Sequence, residues 1–84
     1  MKPTLPAGTE GRRDREMTVA HLREQAGEEF VMVVFLESAR FYRLSRQNPD
    51  FQLILDRFRA ALARGERVRI RVAAPDGDLI EAAG

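Results

Sequence analysis

Cysteine is absent from the chain, and histidine occurs once, at His21. Without cysteine there is no disulfide, no thiolate nucleophile and no thiolate metal site. With a single histidine, an imidazole metal cluster is excluded too, so the expectation is no catalytic residue, no metal and no cofactor. An 84-residue chain buries a modest share of its surface on folding. Of the usual reinforcements of a domain this small, only oligomerisation is left open.

Long apolar runs are also missing. The longest is FVMVVFL at residues 30–36, far short of the roughly 20 apolar residues of a membrane-spanning helix. The opening MKPTLPAGTEGRRDRE has no apolar core of the kind a secretory leader carries. Together with the lack of cysteine, this sets a cytoplasmic location and no membrane partner as the expectation. Lysine is confined to Lys2, so the dominance of arginine reads as a compositional bias more than as site-by-site choice of a phosphate fork. The glycine spacing GTEG at 8–11 neither follows a strand nor precedes a lysine, so it is no phosphate loop.

What is present is a patterned core. Residues 1–16 have one large hydrophobe besides Met1, which is Leu5, and are expected to form a disordered tail before a single domain over 17–84. In TVAHLREQAG, Val19, Leu22 and Ala26 recur at helical spacing between Thr18 and Gly27, which predicts a short N-terminal helix. EEFVMVVFLESARFYRLS reads as two strands, the first apolar on both faces: Phe30, Met32, Val34 and Leu36 on one, Val31, Val33 and Phe35 on the other. NPDFQLILDRFRAALARG predicts a four-turn helix, with Asn48 as N-cap, Pro49 in the first turn and Gly65 at the end. Its apolar stripe is Phe51, Ile54, Leu55, Phe58, Ala61 and Leu62.

RVRIRVAAPDGDLIEAA then predicts a hairpin with a loop at Pro75, Asp76 and Gly77, the glycine in the left-handed region. In that register Val72 opposes Ile80 and Arg71 opposes Glu81. The expected fold is α+β: a four-stranded, mainly antiparallel sheet in ββαββ order, with one long helix packed on one face.

Charge is uneven along the chain. Residues 40–71 carry nine basic and three acidic side chains, although the whole chain is only +1. Arg67, Arg69 and Arg71 alternate with Val68, Ile70 and Val72, so they share the face turned away from the helix. With Arg40, Arg43 and a nearby aromatic from Phe41 or Tyr42, they make a candidate nucleic-acid face. The competing reading is a solvated strand face with local ion pairs.

Paired carboxylates at Glu28 and Glu29, or at Asp76 and Asp78, are accounted for by turns. His21 has no nucleophile motif to serve. The expectation is therefore a non-catalytic protein-interaction module and not an enzyme. It is expected to self-associate as a homodimer or to bind another protein through surplus apolar strand surface, with Phe30, Val31, Val33 and Phe35 as the suspected residues. Nucleic-acid binding is the alternative.

Overall fold

Residues 14–74 and 77–84 are described by a computed structural model, and within them lie five strands and one helix. These are β1 (Asp14–Arg23), β2 (Phe30–Phe35), β3 (Phe41–Ser45), α1 (Phe51–Arg64), β4 (Arg67–Val72) and β5 (Ile80–Ala83). The sheet has five strands, not four, in the order β3-β2-β1-β4-β5, with every neighbouring pair antiparallel. The short N-terminal helix expected at residues 18–27 is instead the ten-residue central strand.

A β-bulge explains that error. The ladder between β1 and β2 pairs Val19 with Phe35 and then His21 with Val34, so one extra residue of β1 is inserted at this point. A bulge reverses the side-to-side alternation. Met17 and Val19 point inward before it and Leu22 packs against the core after it, so the i, i+3 spacing of Val19 and Leu22 imitates a helix. Asp14, Arg15 and Glu16, expected in the tail, already belong to β1, and residues 1–13 lie outside the described residues.

The bulge also divides β1 between its two neighbours. Its first half pairs with β4, Asp14 facing Arg71 through Thr18 facing Arg67, and its second half pairs with β2. At the changeover Glu37 clasps Thr18: its carboxylate accepts the Thr18 peptide N–H and hydroxyl, both at 2.8 Å.

The sheet bends far enough for its two edges to meet. Arg43 of β3 and Leu79 form a parallel bridge, and the Arg43 peptide N–H donates to the carbonyl of Asp78 at 2.8 Å. Inside the curve, Arg15 donates from β1 to the hydroxyl of Tyr42 on β3, also at 2.8 Å. The result is a partly closed five-stranded barrel, around which the strands run β1, β2, β3, β5, β4.

The interior holds Val31, Val33, Phe35, Tyr42, Leu44, Val68, Ile70, Val72 and Ile80, all essentially without solvent contact. Helix α1 closes the interior with Ile54, Leu55, Phe58 and Ala61. Phe35 sits at the join, edge-to-face with Tyr42 at 5.2 Å and with Phe58 at 6.0 Å. Burying each such aromatic or large aliphatic contributes about 1.5–3 kcal/mol, and this is where the stability of the domain resides.

The helix starts slightly later than its sequence predicts. Asp50 occupies the N-cap position, and Asn48 closes the preceding turn by accepting the Asp50 N–H at 2.8 Å. The Asn48 amide meanwhile donates to the carbonyl of Glu81, tying the turn to β5. Gly65 ends the helix as expected, with φ of 67°.

In the β4–β5 hairpin Val72 faces Ile80 as predicted, but Arg71 faces Ala82, because an irregularity between Arg71 and Val72 shifts the register. Pro75 and Asp76 lie outside the described residues. Gly77 is not among the glycines with positive φ, which are Gly27 and Gly65.

Candidate binding surface

Strand alternation that fills the interior also decides what the outside presents. On β2 the outward residues are Phe30, Met32 and Val34. On β3 they are Phe41 and Arg43, and on β1 His21 and Arg23. Register aligns them in rows across the barrel wall: Arg23, Met32 and Arg43 in one, His21, Val34 and Phe41 in the next. Phe41 and Leu36 are 54% and 71% exposed, which makes an apolar patch that no element of the described chain covers.

The self-association residues suspected from sequence divide unevenly. Val31, Val33 and Phe35 are interior, at 0%, 0% and 1% exposure, and cannot form a contact surface. Of the four only Phe30 faces out. The apolar strand does have a surplus row, but it is the other one: Phe30, Met32, Val34 and Leu36. The sequence left open which row the helix would take, and the helix took the row carrying Phe35.

The arginines suspected of touching nucleic acid are separated in the same way. Arg67, Arg69 and Arg71 share the outer face of β4, opposite β1. There Glu16 lies between two of them, 3.7 Å from Arg67 and 3.6 Å from Arg69, and Asp14 pairs with Arg71 at 3.1 Å. Register sets Arg71 opposite Ala82 where Glu81 was expected. Asp14 and Glu16 were expected in a disordered tail, and their place in β1 brings two carboxylates to the arginine row.

Arg43 is also on the outer face, but on β3 and away from the β4 row. Its guanidinium pairs with Asp78 at 3.1 Å and lies 4.9 Å from the centre of the Phe30 ring. Arg40 stands 5.9 Å above the ring of Tyr42, which is itself buried. The five arginines therefore do not form one basic face.

The turn at one end of the β2–β3 wall and the loop along the edge of β3 are acidic. The β1–β2 turn contributes Glu24, Glu28 and Glu29, and the β4–β5 loop contributes Asp78. Glu24 binds Arg59 of the helix through both carboxylate oxygens, and that hydrogen bonding holds its carboxyl below the usual range and raises the Arg59 guanidinium. Arg46 anchors the same turn from β3's end, donating to the carbonyls of Glu28 at 2.7 Å and Gln25 at 3.1 Å. Where that turn meets the wall, Arg23, Gln25, Glu28, Phe30 and Met32 line a half-open cavity of about 250 Å³.

Among the described residues no group of three or more histidine, cysteine or acidic side chains is arranged to hold a metal. None of the helices there is long and apolar enough to cross a membrane. His21 is exposed on the outer wall.

No family model and no curated protein matches the chain. Two solved structures are similar to it in fold: a pro-protein-glutaminase and a mutant of pro-protein-glutaminase. Their TM-scores are 0.68 and 0.67 and their identities 19% and 18%. The likeness covers 81% of this chain and 23% of each of those chains, so this chain spans less than a quarter of their length.

Proposed function

We propose that this chain is a small non-catalytic protein-interaction module whose contact surface is the outer wall of β2 and β3. The observation that carries the reading is the outward row of half-buried Phe30, Met32 and Val34, which runs into the exposed Leu36 and Phe41. Contiguous exposed apolar surface on a domain this small marks a place where another molecule sits. A second copy of the chain is the partner always at hand, in keeping with the small core.

The structural neighbours carry the name of an enzyme precursor. Their activity is not carried over, because the chain has no cysteine, its lone histidine stands on an open wall, and it resembles less than a quarter of those proteins.

A second reading, nucleic-acid binding, has the barrel's connectivity in its favour. Five strands in this circular order, with a helix between the third and fourth, is the arrangement of barrels that bind oligonucleotides and oligosaccharides on strands 2 and 3. Two features weigh against it here. The β4 arginines are matched by Asp14 and Glu16, and the β1–β2 turn beside strands 2 and 3 carries Glu28 and Glu29, carboxylates that repel a phosphate backbone.

Light scattering on the wild type and on Val34→Glu tests the leading reading. A mass above that of one chain that falls to 9.5 kDa in the variant supports it. A wild type that stays at one chain and captures no protein partner sinks it. Salt-dependent binding of single-stranded RNA would instead establish the second reading.

A further inference from the structure

We infer that the cavity between the β1–β2 turn and β2 is a pocket for a tyrosine or tryptophan side chain of a partner protein. This rests on the outer wall being a protein-binding surface and names what the partner must bring.

Size comes first. At about 250 Å³ the cavity is smaller than the roughly 300–1,000 Å³ of sites for drug-sized ligands, so it has room for one ring system. Its apolar side is Phe30 and Met32, an aromatic ring and a thioether, both of which pack well against another ring. Phe30 is already held, with Arg43 stacked on it from outside the cavity and fixed there by Asp78.

The polar side selects among rings. Glu28 offers a carboxylate acceptor and Gln25 an amide, while Arg23 offers a cation. Among the described residues Arg23 has no ion pair, unlike Arg43, Arg67, Arg69 and Arg71 on the same outer surface. A phenol O–H or indole N–H can donate to Glu28 while Arg23 donates to a backbone carbonyl beside the anchor. A phenylalanine brings no donor to Glu28 and leaves it to water. The turn is preset for the task, since Arg46 pins the carbonyls of Gln25 and Glu28.

The chain cannot fill this pocket with its own kind. It has no tryptophan, and its one tyrosine, Tyr42, is buried in the barrel. The partner that occupies the cavity is therefore a different protein, even if a second copy covers Val34, Leu36 and Phe41 farther along the wall.

The test is a nuclear magnetic resonance titration of the full labelled chain with N-acetyl-tryptophanamide, N-acetyl-tyrosinamide, N-acetyl-phenylalaninamide and adenosine monophosphate. Saturable shifts at Arg23, Gln25, Glu28, Phe30 and Met32 are expected from the first two. The phenylalanine compound should bind about tenfold more weakly, the worth of one hydrogen bond to a charged acceptor. Glu28→Ala should erase that preference and leave the fold intact, because Glu28 is an exposed turn residue.

No saturable shift at these residues, equal binding of the phenylalanine compound, or preferential binding of the nucleotide each overturns the proposal. If the pocket fails while Val34→Glu still abolishes association, only the pocket is lost. If Val34→Glu also changes nothing, the protein-binding reading falls with it.

Discussion

The outer surface of this barrel has two halves with opposite habits. On the β1–β4 half, Arg67, Arg69 and Arg71 face Glu16 and Asp14 from the neighbouring strand, so the chain meets its own charges. On the β2–β3 half, Phe30, Met32 and Val34 are half-buried apolar residues beside the exposed Phe41, with no row of opposite charges set against them. Both halves come from strands with good inward alternation and share one interior. The difference teaches that an alternating basic strand is not by itself a recognition surface. What matters is the strand that register places next to it.

The largest effect comes from removing what the two halves share. Phe58→Ala takes away the helix ring that packs on Phe35 and should cost about 3–5 kcal/mol. A small domain has little more than that to lose, so urea denaturation should find it largely unfolded.

Next is Val34→Glu, which should abolish association while changing the unfolding free energy from urea denaturation by no more than about 0.5 kcal/mol. Val33→Glu, one residue away, should instead prevent folding, because that side chain is fully buried. Circular dichroism of the pair checks the assignment of faces directly.

The third makes the two halves more alike. Asp14→Asn combined with Glu16→Gln strips the arginine row of its carboxylates. Each exposed pair is worth about 0–1 kcal/mol, so stability should hardly change. Retention on immobilised single-stranded DNA at low salt should rise and should fall again with added salt.

The smallest effect lies at the seam between the halves. Hydrogen bonds from the Thr18 backbone N–H, and then from its hydroxyl, hold the Glu37 carboxyl below its ordinary value of 4.5. A lowered folded-state pKa contributes stability that is present above the unfolded value and is lost as pH falls through the folded one. Glu37→Gln should therefore flatten part of the loss of stability below pH 4.5, as read from urea midpoints across that range.

Much of the fold was legible. The helix from Phe51 to Arg64, its stop at Gly65, the strands FVMVVF and RVRIRV, and the Val72–Ile80 pairing all follow from local periodicity and turn chemistry. The candidate surface was legible only in part. FVMVVFL announces an apolar row too many, but two equivalent rows alternate along it, and nothing local says which one the helix will cover.

Sequence by itself determined the inventory: which segments alternate and which repeat like a helix, and the fact that no thiol or histidine cluster exists. Tertiary structure decided β1. A bulge at its midpoint put Val19 and Leu22 on the same side, and burial between β2 and β4 made a strand of a segment whose spacing fits a helix. That choice supplied the carboxylates for the arginine row and curved the sheet until its edges met. Long-range pairing is invisible to local pattern because the partners that stabilise it lie dozens of residues away, and here they decide which surface is left for another molecule.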